Sequence, residues 1–343
     1  MMKPKDRDFV ETVDGQFFCV VGYLHPPQGY TAYLKYIPSQ DGRWGRGTRR
    51  YTRILPYYHV SQVENTYSYL KTNFPDYIFD CPVRGITTSF VPLHKVAKYY
   101  DPYTVLNSIN ENGPRDPLEK KLLTIVEIFS HNIGSSDCFG VTGSILIGIH
   151  NPLFSDIDVI VYGSEASRKL KKAMVSLTGQ GGPIRPLSYL EKEKRCRERV
   201  GKFPLEINQL RRISETWWNY AYFEGTYFSA HPTRTSEEVT ESYEDNTYHR
   251  LGEVKGVATV QEDSESMFLP AIYEIGSLEG ESTMKIDRLV SFEVLYCGVF
   301  KKGDVVEFRG ALEEVKGRNP GYQVVIGGAG SPNGYIKWGC YSG

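Results

Sequence analysis

No apolar run in the 343 residues is long enough to cross a bilayer, and Met1 to Asp8 lack the apolar stretch of a secretory leader. The cytoplasm is the expected compartment, and no membrane partner is expected. Cysteine is sparse: Cys19, Cys81, Cys138, Cys196, Cys297 and Cys340 lie far apart and never form a Cys-x-x-Cys pair. That spacing argues against a zinc ribbon or a dithiol redox motif and leaves buried free thiols as the expectation. The seven histidines likewise show no metal spacing. Neither sign of charge dominates, since 40 basic residues meet 41 acidic ones. The total therefore draws the chain toward neither nucleic acid nor membrane, and any such preference has to come from local patches. No internal repeat is present, which argues against a solenoid.

What remains is ordinary soluble composition, 40% hydrophobic and 24% charged, in a chain longer than one typical core. The patterning predicts an α+β protein in three parts. Residues 1–110 read as a β-rich N-terminal domain, with strand-like Phe17 to Tyr23 and Tyr30 to Tyr36 flanking a Pro26-Pro27-Gln28-Gly29 turn. A helix from Ser61 to Phe74 and strands near Ile78 to Cys81 and Thr87 to Val91 complete it. Residues 111–265 form a central unit. It opens on a strong helix start, where Asp116 caps, Pro117 fits the first helical position and Glu119 stands at the capping-box position. Leu118, Leu122, Ile125, Val126 and Phe129 then recur at helical spacing. Residues 266–343 return to strand patterning broken by glycine-rich turns, which predicts a small β-barrel or sandwich.

Within the central unit, strand-like Cys138 to Thr142 runs into Gly143-Ser144, and after an eleven-residue spacer come Asp156-Ile157-Asp158-Val159-Ile160-Val161. A glycine turn lets backbone approach a ligand closely, and a turn that starts a helix attracts phosphate. Side chains alternate across a strand, so Asp156 and Asp158 share one face. Two carboxylates that close repel unless a cation neutralises them, and Mg²⁺ suits oxygen donors that also leave room for phosphates. Two such ions would activate a hydroxyl and stabilise a pyrophosphate leaving group.

Gly143, Ser144, Asp156 and Asp158 at this spacing resemble the signature of the DNA polymerase β-like nucleotidyltransferase superfamily: Gly-Ser, a spacer, then Asp-hydrophobic-Asp. The chain also looks like an uncharacterised archaeal group of predicted nucleotidyltransferases, with further likeness around His25-Pro26-Pro27 and Trp217-Trp218-Asn219. The resemblance implies a nucleotidyltransferase core between the two β-rich domains and transfer of a nucleoside monophosphate from a triphosphate to a hydroxyl acceptor. It implies Mg²⁺ on Asp156 and Asp158, with Gly143 and Ser144 holding the terminal phosphates. It also calls for a third carboxylate on a later strand. Glu224, at the start of the strand-like Thr226 to Ala230, is the preferred candidate, and Glu206 is the alternative. Without that carboxylate the fold would serve as a non-catalytic RNA- or nucleotide-binding protein.

Two segments suit a polymer partner such as RNA. Arg43, Trp44, Arg46, Arg49, Arg50, Tyr51, Arg53, Tyr57 and Tyr58 cluster in the N-terminal domain, mixing phosphate forks with stacking platforms. Residues 185–212 carry nine Lys or Arg against four Glu. The stretch 233–281 reverses the balance, with twelve acidic side chains against three basic. Of the histidines, His150 and His231 have the best argument for proximity to a substrate.

Overall fold

A computed structural model describes residues 3–54, 60–280, 284–328 and 331–339. Tyr57, Tyr58 and Cys340 lie outside them. The described residues form an α+β protein with three β-sheets and seven α-helices. No helix among them is long and apolar enough to cross a membrane.

The first sheet has eight strands, all paired antiparallel. Its path runs Trp44–Arg46, Arg49–Arg53, Gly29–Pro38, Phe17–Val20, Phe9–Thr12 and Val96–Tyr100, with Ile86–Pro92 and Ile78–Cys81 branching from Gly29–Pro38. The helix Val60–Asn73 falls where the sequence predicted it. A second helix, Pro102–Asn112, follows the sheet. Asp101 caps it by accepting from the Thr104 backbone N–H, and its Leu106 and Ile109 pack into the core of the central unit.

The central sheet has five strands, in the order Arg185–Pro186, Tyr220–Phe223, Thr226–Thr233, Ile157–Tyr162 and Phe139–Thr142. Ile157–Tyr162 runs parallel to Thr226–Thr233 and antiparallel to Phe139–Thr142. Its alternation decides what each face does. Ile157, Val159 and Val161 join Leu122, Ile125 and Phe129 of the helix Pro117–Ile133 and Leu170 and Met174 of the helix Ser164–Leu177. Full burial of each aliphatic side chain there contributes about 1.5–3 kcal/mol. The other face carries Asp158 and Ile160 and is covered by the N-terminal sheet. There Phe9, Phe17, Tyr36 and Tyr51 pack with Leu146, Ile147 and Ile149. The Thr142 hydroxyl donates to the Arg7 carbonyl at 2.7 Å, and the Gly45 N–H donates to the Ile149 carbonyl at 3.0 Å.

The third sheet closes on itself. Asn246–Glu262 pairs with Ala271–Gly280 along one edge and with Val305–Gly317 along the other. Gly321–Ile326 joins Val305–Gly317 antiparallel to Ile286–Ser291 in parallel, and Ile286–Ser291 pairs back to Ala271–Gly280. Tyr335–Trp338 extends the pairing along Val305–Gly317. The result is a small barrel filled by residues such as Val260, Tyr273, Phe308 and Val324. Leu210 and Ile213 of the helix Ile207–Glu215 pack against the same core.

Candidate active site

Phe139–Thr142 ends in a turn because Gly143 adopts φ +70°, a conformation that costs a side-chain-bearing residue about 1–2 kcal/mol. The helix that follows, Gly143–Leu146, is a single turn, and all four of its residues are buried. Gly143 is also required for space. A Cβ there would stand 2.5 Å from Asp158 Oδ2, so the missing side chain keeps that oxygen open.

Asp158 lies level with Thr142 on one neighbouring strand and with Ser229 on the other. The Ser229 hydroxyl donates to Asp158 Oδ1 at 2.5 Å, and His231 Nε2 lies 2.7 Å from Ser229 Oγ and 3.4 Å from Asp158 Oδ1. Ser229 has one proton, which it gives to Asp158, so His231 donates from Nε2 to Ser229. A relay from imidazole to hydroxyl to carboxylate therefore fixes Oδ1, while Oδ2 faces the Gly143 gap.

Burial alone would raise the Asp158 carboxyl. The His231 hydrogen bond, the Lys35 ammonium and the Ser229 hydroxyl outweigh it and hold the group well below the ordinary carboxylate range. Burial first, and the Asp158 charge second, push Asp156 the other way, against Arg53 and Lys35. Burial and the Arg7 charge take His231 down to about 4, so its imidazole is neutral at physiological pH. Lys35 is also lowered by burial, opposed by Cys19 and Asp158. The carboxylate pair thus sits among cations from the N-terminal sheet, which its sequence neighbours do not supply. Arg7, itself 3.5 Å from Asp6, adds its charge to that set.

The structure does not bring Glu224 to this pair. Glu224 and Gly225 form the tight turn between Tyr220–Phe223 and Thr226–Thr233, where Glu224 has φ +45° and is exposed. Ser229 is level with Asp158, so Glu224 lies five residues further along, roughly 16 Å at about 3.3 Å per residue. Its carbonyl accepts from Lys121 Nζ at 2.7 Å instead. Glu206 precedes the helix Ile207–Glu215, and its carbonyl accepts from Gln209 and Leu210. Where the resemblance asks for a third carboxylate, the adjacent strand presents Ser229 and His231. His231 was noticed in the sequence for its position alone, and Ser229 carried no signal there.

His150 has a structural partner. Its Nε2 lies 2.7 Å from Asp116 Oδ2, and Asp116 caps the helix Pro117–Ile133 through Leu118 and Glu119. Glu119, fully buried, accepts from the Arg115 backbone and guanidinium. Asp116, Glu119 and His150 are close enough to hold a cation, yet each is already engaged in fixing the helix start.

A pocket of about 460 Å³ opens beside Asp156, lined by Arg43, Trp44, Arg53 and Phe154 among others. Arg49 and Arg50 are exposed on the same hairpin, whereas Tyr51 is a core residue. In the basic segment several of the nine cations are paired locally. Arg185 pairs with Glu191, Arg197 and Arg211 with Glu193, and Lys192 with Glu215. Arg195 lies over Tyr227 at 4.3 Å and Arg199 over Trp217 at 5.0 Å, and Tyr220 and Tyr227 stack on each other.

The residues that would hold a divalent cation are Asp156 and Asp158, and the Gly143 gap leaves space at Asp158 Oδ2. No family model and no solved structure matches the chain. Over 320 residues, 92% of each chain, it is 29% identical to a Methanocaldococcus jannaschii protein called "Uncharacterized protein MJ1086".

Proposed function

We propose that the chain is a nucleotidyltransferase of the DNA polymerase β-like kind, which moves a nucleoside monophosphate from a triphosphate to a hydroxyl acceptor. The observation that carries this reading is Asp158 Oδ2, set against a glycine turn whose missing side chain makes the opening, with Asp156 just before the strand and near enough to feel the Asp158 charge. Bound on Asp156 and Asp158, Mg²⁺ would neutralise the pair and polarise the phosphate oxygens. The residues divide the remaining work. Asp158, held ionised and fixed by Ser229, serves as the anchor. Asp156 would complete the oxygen pair on the ion as the acceptor hydroxyl attacks the α phosphorus, the bond to pyrophosphate breaks and the hydroxyl proton passes to solvent. Arg195 over Tyr227, on the strand beside Asp158, offers stacking and charge suited to an RNA acceptor.

The test is transfer of label from each of the four α-labelled triphosphates, with Mg²⁺, to RNA, protein and small hydroxyl acceptors. Transfer that falls at least about 100-fold in Asp156→Asn supports the reading. No transfer to any acceptor removes it. The observation of Ser229 and His231 in place of a third carboxylate favours a second reading, a non-catalytic nucleotide- or RNA-binding protein. Under that reading, binding persists in Asp158→Ala and no pyrophosphate is released.

A further inference from the structure

The pocket beside Asp156 has walls from two distant parts of the chain. Arg43, Trp44 and Arg53 belong to the hairpin region of the N-terminal sheet, and Phe154 and Asp156 to the segment leading into the carboxylate strand. The Gly45–Ile149 backbone hydrogen bond ties the two together, and Trp44 packs edge-on against Phe154 with ring centroids 5.7 Å apart. These rings act as shelves for guanidinium groups. Arg43 lies over Phe154 at 4.6 Å, and Arg53 over Trp44 at 4.8 Å. Arg53 is further held by the Tyr36 hydroxyl, which accepts from its Nε and Nη2 at 3.4 Å. Arg43 is exposed and has no ion pair or hydrogen bond among the described residues.

We infer that this pocket is a polyphosphate site, in which Arg43, beside the charge of Arg53, grips the phosphate chain of a nucleoside triphosphate whose α phosphate lies toward Asp156. The inference rests on the nucleotide-handling reading above and assigns the grip to the N-terminal sheet. Arg43, stacked on Phe154, keeps its N–H edges available, and those edges match phosphate oxygens in pairs, while Arg53, held by Tyr36, adds its charge to the same wall. A stack on a ring also removes much of the freedom an arginine loses on binding. The one acidic wall residue, Asp156, repels a bare phosphate chain and attracts one that carries a divalent cation. The pocket therefore selects a metal-complexed polyphosphate over an isolated phosphate or a diester.

Isothermal titration calorimetry of the full chain with magnesium tripolyphosphate, and separately with each magnesium nucleoside triphosphate, tests this. Arg43→Gln removes an exposed side chain, so the fold is expected to persist, and an unchanged circular dichroism spectrum checks it. Binding of both ligands should weaken at least about tenfold in Arg43→Gln. In EDTA, Asp156→Asn should bind tripolyphosphate more tightly than the unaltered chain, because a repulsive charge is gone. Equal affinities for tripolyphosphate and nucleotide mean the phosphates alone are read, and tighter nucleotide binding means the base adds contacts; both support the site. No tripolyphosphate binding, an unchanged affinity in Arg43→Gln, or binding of single-stranded RNA alone overturns it. The two proposals separate cleanly. Arg43-dependent binding without transfer leaves the site and removes the enzyme, whereas transfer with Arg43-independent binding does the reverse.

Discussion

A single hydroxyl decides how Asp158 is used. Ser229 is a small residue on a buried strand, and nothing in its sequence context marks it. Only the parallel register with Ile157–Tyr162 puts it level with Asp158. Asp156 and Asp158 stand out in the sequence by their spacing, and the sequence also marks His231 and Arg53. Lys35, and the partnerships all of these make, are not legible there, because contacts across sheets depend on register and packing, which local pattern does not encode. Glu224, expected as the third acid at the entrance of that strand, lies in the turn before Thr226–Thr233, five residues from the position level with Asp158. Removing the Ser229 hydroxyl tests the relay. Ser229→Ala leaves Asp158 Oδ1 without its closest donor and His231 without its acceptor. Mn²⁺ affinity, followed by electron paramagnetic resonance, should fall about tenfold or more, the size expected when a ligand loses its orienting hydrogen bond. An unchanged affinity would show that Asp158 is held by the surrounding cations alone.

Helix starts were the most readable elements. Asp116, Pro117 and Glu119 predict a capped helix, and Asp116 does accept from the Leu118 and Glu119 backbone at 2.8 and 3.0 Å. The detail differs, since Glu119 turns to the Arg115 N–H rather than closing a box on Asp116. What the pattern could not show is that the cap is shared. His150, from the spacer between Ser144 and Asp156, closes on Asp116 and so ties the loop below the carboxylates to the helix. Asp116→Ala therefore removes both a cap and the partner of a mostly buried imidazole. Denaturant unfolding should register a loss of about 2 kcal/mol, more than the typical ~1 kcal/mol for a cap alone. Asp116→Asn, which keeps an acceptor, should recover most of it. The barrel's opening strand was harder to read. Asn246–Glu262 is largely exposed along its first half and lies in an acidic stretch, so its alternation begins only near Val254. The sequence reading accordingly started the barrel at residue 266, and the strand pairing starts it at Asn246.

At the scale of the whole molecule, the neutral total charge hides buried groups that titrate in opposite senses. His25, near Pro26-Pro27, accepts the Thr31 N–H on Nδ1 and has a buried Nε2. Burial takes it down to about 4 from an ordinary value near 6.5. Its contribution to stability is full above pH 6.5 and is lost as pH falls toward 4. Asp8 does the reverse. Burial lifts it to about 7, although Tyr99 and the Lys5 N–H both donate to it. It favours the folded state when protonated, so its contribution is full below about pH 3.8 and is lost as pH rises through 7. Between about pH 4 and 6.5 the two slopes, each up to about 1.4 kcal/mol per pH unit, oppose and largely cancel. Single substitutions uncover them. In His25→Gln, which retains an acceptor for Thr31, denaturant-derived stability should fall as pH rises across this window. In Asp8→Asn it should fall as pH drops across the same window. Both groups lie in the N-terminal segment that covers the carboxylates, where the Arg7 carbonyl, beside Asp8, accepts from the Thr142 hydroxyl and so helps to position the glycine turn. If both variants show the same pH slope as the unaltered chain, neither buried group carries the assigned shift, and the coupling between that cover and its protonation state is absent.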